Sequence, residues 1–210
     1  MATRIVVLGL SHDHVWTNLE ELAAQPDAEI VAAFDSHERL RDQFSSLYDR
    51  PTFETAESLF ESIDADAAYV FSSNAEGADL AVSAAKRGLH VLIEKPMAAT
   101  LAQADEMLVV ARENDVQLVV NWPFAWWPQM QHAIRLARDG AIGRVWNVNY
   151  RAAHAGPKEL GCSDEFCEWL FDPQLNGGGG ALMDYCCYGA VLARVLLGMP
   201  TSVTAVSYTH

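Results

Sequence analysis

The triplet Glu94-Lys95-Pro96 is the most informative short motif for chemistry in this sequence. It follows the apolar run His90–Ile93, which predicts a buried strand, so Lys95 is expected at the carboxyl end of that strand. Open parallel sheets bind their ligands at this edge, so a lysine there is expected to face the ligand. The alternative is a solvated lysine in an ordinary loop.

Asp184 and Tyr188 form a second candidate pair. They lie four residues apart on a helix that is predicted to begin after the glycine run Gly177–Gly180, and this spacing puts both side chains on one face. A tyrosine near an ammonium group can pass the proton of a substrate hydroxyl. Packing of Tyr188 in a core is the alternative, and the spacing alone does not separate the two.

The loop Gly9–His14 follows the first apolar run, where a dinucleotide-binding turn is expected. Gly9 keeps the place of the first glycine of GxGxxG, and Ser11 is small enough to replace the second. Asp35 ends the next predicted strand, where a carboxylate accepts hydrogen bonds from ribose hydroxyls and repels a 2′-phosphate. These residues favour NAD over NADP. The alternative for Asp35 is a cap for the following helix.

The adjacent residues His12, Asp13 and His14 raise the possibility of a metal site. We expect a tight turn that leads into a helix to splay the two imidazoles, which disfavours a shared ion. The histidines are then expected to flank a pyrophosphate, with His12 as a donor towards cofactor or substrate, and the alternative for His14 is that it caps the helix. The sequence therefore predicts that the Gly9–His14 backbone wraps a pyrophosphate and that no metal is bound.

The elements that must position these residues alternate through the first 120 or so positions, as is typical of βαβ units. The predicted strands are short and apolar on both faces, which indicates a parallel sheet covered by helices on both sides. The fold class predicted is α/β, with an N-terminal Rossmann doubly wound sheet. The five predicted strands are Arg4–Leu8, Glu29–Phe34, Ala67–Phe71, His90–Ile93 and Gln117–Val120.

After Asn121 the pattern changes, and we predict two domains, residues 1–121 and residues 122–210. The second part contains a predicted helix, a long alternating strand (Arg144–Arg151), an irregular segment (152–176), a helix (Ala181–Leu197) and a strand-like run (Ser202–Tyr208). One long strand and a short one do not make a stable sheet. The second domain is therefore expected to be a truncated α+β domain.

Composition limits the partners. The formal net charge of −14 argues against nucleic acid and anionic membranes. The longest apolar stretch contains Asp184 and Arg194, and no targeting segment is visible, so a cytoplasmic protein is expected. An anionic cofactor remains compatible, because backbone amides at one helix start can hold a phosphate.

Two longer motifs resemble the glucose-fructose oxidoreductase / inositol dehydrogenase / rhizopine catabolism family, written Gfo/Idh/MocA. Residues 67–97 resemble its strand–helix–strand–EKP signature, and residues 177–198 resemble its Gly-rich turn followed by an aspartate and a general acid. The resemblance implies that Lys95 binds the reacting hydroxyl and that Asp184 orients the substrate. Tyr188 stands where many members have histidine and a subgroup has tyrosine. Ser72, Ser73 and Asn74 match the family's TPN segment beside the cofactor, and the histidine usually found three residues later is Gly77 here.

The resemblance implies an NAD(P)-dependent oxidoreductase that acts on a CH–OH group of a sugar, polyol or cyclic alcohol and that forms a homo-oligomer. The alternative is a non-catalytic NAD(P)-binding regulator of the same fold. Residues expected at the substrate are Lys95, Trp122, His154, Asp184 and Tyr188. Residues expected at the cofactor are Gly9, Leu10, Ser11, His12, His14, Asp35, Ser36, Ser72, Ser73, Asn74, Glu94 and Lys95.

Overall fold

The computed structural model describes residues 2–206, apart from the side chain of Ala181. Six strands alternate with helices in the first 121 residues. The elements of this part are β1 (Thr3–Leu8), α1 (His14–Ala23), β2 (Ala28–Phe34), α2 (Glu38–Tyr48), β3 (Thr52–Phe53), α3 (Ala56–Ser62), β4 (Ala67–Val70), α4 (Asn74–Ala85), β5 (His90–Glu94), α5 (Leu101–Glu113) and β6 (Leu118–Asn121).

The strands form one parallel sheet in the order β3-β2-β1-β4-β5-β6. This is the doubly wound Rossmann order. Strands are added outwards from β1 first on one side (β2, β3) and then on the other (β4, β5, β6), so the strand order reverses between β1 and β4. Leu8 pairs with Phe34 on one side and with Val70 on the other, so β1, β2 and β4 end together. The predicted fold class is confirmed. The sequence missed only the two-residue strand β3 and the helix α3 that follows it.

Helices cover both faces of the sheet because alternate residues of each strand point to opposite sides. Val6 and Leu8 pack in one core, against α3, α4 and α5. Ile5 and Val7 pack in the other, against α1 and α2. Thr100 begins α5 with a capping box, in which its side chain accepts the Gln103 amide and the Gln103 side chain accepts the Thr100 amide.

Between β6 and residue 206 the structure contains four further helices, together with a 3₁₀ turn at Pro123–Ala125. The segment predicted to be irregular contains two of them, so that prediction was wrong in part. Ser163 caps the helix Asp164–Phe171, because its side chain accepts a hydrogen bond from the Phe166 amide. The helices are α6 (Pro128–Arg138), α7 (Asp164–Phe171), α8 (Pro173–Asn176) and α9 (Ala181–Leu197).

Contacts divide the chain into two units. Residues 154–184 group with residues 1–121, whereas the sequence analysis placed them in the second domain. The reason is tertiary: α7 packs through its own apolar face and through polar bonds to the loop after β1. The division into domains at residue 121 stays a prediction.

The second unit consists of residues 122–153 together with the chain from Tyr185 onwards. Within residues 122–206 the structure contains no strand, so the strand predicted at Arg144–Arg151 is wrong. An alternating pattern forms a strand only where a neighbouring strand supplies backbone partners. Residues 202–206 are not a strand either, and the last two residues of that predicted run lie outside the described residues. Within the described residues, no helix is both long and apolar enough to cross a membrane.

Candidate active site

The loop after β1 is a tight turn that is held against the ends of two neighbouring strands. Gly9 has φ +85°, and its amide donates to the Phe34 carbonyl at 2.8 Å. The His12 amide donates to the Phe71 carbonyl at 3.0 Å. A Cβ at position 9 would lie 2.7 Å from Cβ of Ser72, so only glycine fits there. This bare backbone suits the close approach of a pyrophosphate.

Asp35, at the end of β2, is buried and braces this loop. Its Oδ2 accepts the Leu10 amide at 2.6 Å, and its Oδ1 accepts the His37 amide at 2.8 Å. The ring Nδ1 of His37 also lies 2.8 Å from Oδ1. The carboxylate therefore lies beside the start of α2, although the residue at the N-cap of this helix is His37. It also lines a cleft, and its ribose role stays a prediction.

That cleft has a volume of about 490 Å³ and lies at the carboxyl edge of the sheet. Gly9, Ser11, Ser36 and Ser72 line it from the loops after the strands. Its walls are acidic. The carboxylates that line it are Asp35, Glu76, Asp79, Glu165 and Glu168.

The three polar residues after β4, Ser72, Ser73 and Asn74, make different contacts. Hydroxyls of Ser72 and Ser73 donate to Glu76 Oε2 at 3.1 and 2.8 Å. Ser73 also caps α4, since its side chain accepts the Glu76 amide. Asn74 is buried and donates through Nδ2 to the Asn176 carbonyl at 2.9 Å. Of the three, only Ser72 lines the cleft.

Lys95 lies at the end of β5, where the sequence placed it. Its side chain is 5% exposed and forms an ion pair with Oδ1 of Asp184, whose side chain is 16% exposed. The ammonium group also lies 3.5 Å from the Asp184 carbonyl oxygen. The Lys95–Pro96 peptide bond is cis. The solvated-lysine alternative is therefore excluded by the burial of this side chain.

Glu94 carries a buried acceptor that the described residues leave without a hydrogen bond. Its Oε2 accepts Nδ2 of Asn121 at 2.7 Å. Its Oε1 is buried and accepts no hydrogen bond within the described chain, although Nδ1 of His14 lies 3.3 Å away. A buried oxygen of this kind is costly unless a ligand donates to it. Together with the glycine cradle at position 9, it fits a hydroxyl-rich dinucleotide.

The imidazole rings of His12 and His14 lie close together. The expectation that the tight turn holds them apart was therefore wrong. Their ring centroids are 4.6 Å apart. Donor atoms of His12, His14 and Glu94 all lie within 4.8 Å of one another. The turn brings the rings together because the Val15 amide folds back onto the His12 carbonyl at 2.8 Å.

The His12 imidazole is almost completely buried between Phe166 and Trp169, with ring centroids 4.9 and 5.5 Å away. Burial lowers the pKa of His12 well below its usual 6.5, and the charges of His14 and Lys95 lower it further. His12 is thus neutral at pH 7. Its Nδ1 accepts the His14 amide at 3.3 Å, which assigns the ring proton to Nε2 and makes that atom a donor.

The helix α7 makes contacts with the loop after β1 that were not predicted from the sequence. Nε1 of Trp169 donates to the Ser11 carbonyl at 3.2 Å. The amide and hydroxyl of Ser163 donate to the Asp13 carboxylate at 2.8 and 2.6 Å. The spacing of Phe166, Trp169 and Leu170 is that of a helix with one apolar face, and this was the available signal.

Three predicted substrate residues remain: His154 belongs to the first unit, and Trp122 and Tyr188 belong to the second. His154 is exposed, and its Nδ1 accepts the Gly156 amide at 2.9 Å. In the second unit, the ring of Tyr188 lies 5.1 Å from Phe124 and is stacked at 6.4 Å on Tyr150. Trp122 is buried in the same unit, and its indole N–H has no hydrogen-bond partner within the described chain.

Comparisons with known proteins agree with this architecture. A family model for the GFO/IDH/MocA oxidoreductase family, NAD-binding Rossmann fold, matches residues 3–122. A second, for the GFO/IDH/MocA C-terminal domain, matches residues 130–210.

Among curated relatives, dTDP-3,4-didehydro-2,6-dideoxy-alpha-D-glucose 3-reductase of Actinomadura kijaniata is 29% identical over 93% of this chain and 56% of that protein. D-xylose 1-dehydrogenase (NADP(+)) 2 of Haloferax volcanii is 30% identical over 87% of this chain and 54% of that protein. A solved structure, aldose-aldose oxidoreductase from Caulobacter crescentus complexed with glycerol, superposes with a TM-score of 0.76 at 25% identity, over 94% of this chain and 58% of that one. The chain spans about half the length of the curated relatives it matches.

Proposed function

This chain belongs to the Gfo/Idh/MocA family of oxidoreductases, and from that premise we propose that it transfers hydride between a nicotinamide cofactor and a CH–OH group of a sugar, polyol or cyclic alcohol. The observation that carries the proposal is the buried ion pair between Lys95 and Asp184 at the carboxyl edge of a Rossmann sheet. Relatives named as sugar dehydrogenases and reductases support the substrate class.

Lys95 would bind the oxygen of the reacting hydroxyl through its ammonium group. Asp184 would keep that group oriented, because its carboxylate already accepts a charge-assisted hydrogen bond from Nζ. A fixed donor at this oxygen stabilises the negative charge that develops as the hydroxyl proton leaves. Burial of the pair strengthens the effect, since water is excluded from the charges.

Tyr188 would pass the hydroxyl proton. Its support is the spacing on α9, where it follows Asp184 by four residues on one helix. Trp122 would bind a substrate hydroxyl, because its buried indole N–H needs an acceptor. His154 would contact the substrate from the segment before α7. The tests of these roles are Tyr188→Phe and Trp122→Phe, which are expected to lower kcat and to raise KM, respectively.

The cofactor would be held by the loop after β1, by Asp35 and by Glu94. When bound, a nicotinamide dinucleotide supplies the hydride acceptor or donor. Backbone amides near Gly9 would bind the pyrophosphate, and Oε1 of Glu94 would accept a hydroxyl. We propose NAD as the preferred form because the cleft beside Asp35 is lined by carboxylates that repel a 2′-phosphate.

The test is binding and turnover measured in parallel. NAD⁺ and NADP⁺ are titrated onto the purified chain, and a panel of sugars, polyols and cyclic alcohols is then screened for NAD(P)H absorbance. Turnover that falls about 100-fold or more in Lys95→Met, with dinucleotide affinity retained, is the expected result. Near-normal turnover in that variant would overturn the catalytic assignment. Dinucleotide binding without turnover on any substrate would favour the non-catalytic regulator.

A further inference from the structure

An arginine and a glutamate far apart in the sequence form a bidentate ion pair beside the dinucleotide cleft. Arg39, in the first turn of α2, donates from Nε to Oε1 of Glu165 at 2.6 Å and from Nη2 to Oε2 at 2.5 Å. Glu165, in the first turn of α7, lines the cleft. Two parallel N–H···O bonds give such a pair both strength and direction. The guanidinium group is thus committed to Glu165, although 59% of the Arg39 side chain is exposed.

The position of Arg39 makes this pairing relevant to the ligand. Arg39 is four residues beyond Asp35, the carboxylate that ends β2. In Rossmann sites an acidic residue at this place binds the ribose 2′-hydroxyl of NAD, whereas a nearby arginine accommodates the 2′-phosphate of NADP. This chain has both features, but its arginine is already paired with a carboxylate.

The neighbouring cationic groups are also held. Arg41 donates from Nη1 to the carbonyl oxygens of Asp35 and Ser36 at 2.8 and 2.9 Å. His37 contacts Asp35 through both its amide and its ring. Arg39 differs from Arg41 because side chains, and not the local main chain, hold it: Glu165 on another helix and, at 3.5 Å from Nη1, Gln43 on its own helix. The ion pair with Glu165 can therefore be removed by a single substitution.

We propose that Glu165 determines the cofactor preference of this site, by holding Arg39 in the ion pair and so keeping it from binding a ribose 2′-phosphate. This inference rests on the proposed function, since it presumes a dinucleotide in the cleft. Glu165 lies on α7, whereas the residues that distinguish NAD from NADP in Rossmann sites normally lie at the end of β2 and in the segment after it. The Glu165 carboxylate holds the Arg39 guanidinium group and neutralises its charge, so this cation is not offered to a ligand phosphate.

The charge state of Glu165 supports this role. The hydrogen bond from Arg39 lowers the pKa of the Glu165 carboxyl below its usual 4.5. The carboxylate is therefore ionised throughout the neutral range, and the pair persists where dinucleotides are bound.

The test compares dissociation constants of NAD⁺ and NADP⁺, measured by quenching of tryptophan fluorescence. Glu165→Gln frees Arg39 and is expected to lower the ratio of the NADP⁺ to the NAD⁺ constant about tenfold or more. Glu168→Gln is the matched control, because Glu168 lines the same cleft without pairing with Arg39. The double variant Glu165→Gln/Arg39→Gln is expected to lose most of the gain. Far-ultraviolet circular dichroism and thermal melts establish that each variant is folded.

Three results would overturn the inference: an unchanged ratio in Glu165→Gln, an equal gain in Glu168→Gln, or a gain that survives removal of Arg39. In each of these cases NAD⁺ still binds, and the proposed function stands. If the unaltered chain and every folded variant bind neither dinucleotide, the proposed function and the inference both fail. The same comparison can be made without the nicotinamide half, by measuring the dissociation constants of adenosine 2′-monophosphate and adenosine 5′-monophosphate for each variant.

Discussion

Lys95 and Asp184, 89 residues apart in the sequence, form an ion pair at the end of β5, and the Lys95 side chain is 5% exposed. Such a pair has two consequences. It presents a fixed ammonium group for chemistry, and it makes each partner necessary to the other, since an unpaired buried charge is costly. The structural consequence can be tested without a substrate.

Lys95→Met is expected to lower the free energy of unfolding by roughly 3 kcal/mol, because Asp184 then loses the cation that compensates its desolvation. Lys86→Met is the control. Lys86 forms a surface pair with Glu106 at 3.9 Å, with both side chains more than half exposed. That variant is expected to change stability by less than about 1 kcal/mol. Urea unfolding measures both.

A double replacement separates charge from packing at the same site. Lys95→Met/Asp184→Leu removes both charges, so most of the stability lost in Lys95→Met is expected to return, while turnover stays at least as low as in Lys95→Met. A double variant as unstable as the single one would contradict the view that the unpaired carboxylate causes the loss.

Gly9 and Gly88 provide a second matched comparison. Both have a left-handed backbone, with φ +85° and +81°, but a Cβ meets Ser72 at position 9 and nothing within 4 Å at position 88. Gly88→Ala is expected to cost about 1–2 kcal/mol of unfolding free energy from backbone strain alone. Gly9→Ala is expected to cost roughly 1–3 kcal/mol more, and to weaken dinucleotide binding. Equal losses would mean that Ser72 yields to the added methyl group.

The sequence predicted the sheet well because its signals are local. Short apolar runs, each followed by a helical pattern, fix strand positions to within one or two residues, and the handedness of crossovers limits the strand order. The end of β5 placed Lys95 at the ligand edge on the same grounds. The resemblance, and not the spacing, supplied its relation to Asp184.

The missed features depend on contacts between distant segments. The bonds from Trp169 to Ser11 and from Arg39 to Glu165 join residues 158 and 126 positions apart. No periodicity encodes such a pairing. The predicted strand at Arg144–Arg151 failed for the complementary reason: its alternation is real, but a strand needs a neighbour. The convergence of His12 and His14 likewise depends on how one turn closes.

Buried His12 makes stability depend on pH. Its folded-state pKa lies well below 6.5, so below about pH 6.5 the unfolded chain binds a proton that the folded chain excludes. The free energy of unfolding is therefore expected to fall as the pH drops below this value, by up to about 1.4 kcal/mol per pH unit from this group. In His12→Asn, the free energy of unfolding is expected to depend less steeply on pH between about pH 5 and 6.5 than in the unaltered chain, with the slope reduced by at most about 1.4 kcal/mol per pH unit. His132→Asn, at an exposed position, should leave it unchanged.

The close group of His12, His14 and Glu94 calls for a direct test of the predicted absence of a metal. Because Nδ1 of His12 accepts the His14 amide, its other ring nitrogen carries the proton and offers no lone pair to an ion. Dinucleotide affinity is therefore expected to be the same after treatment with a chelator and after addition of equimolar zinc. Metal analysis and cobalt absorption spectra check for bound ions. One zinc per chain, lost in His14→Asn and kept in His132→Asn, would show that the imidazoles turn to coordinate an ion, and the dinucleotide interpretation of Glu94 would then need revision.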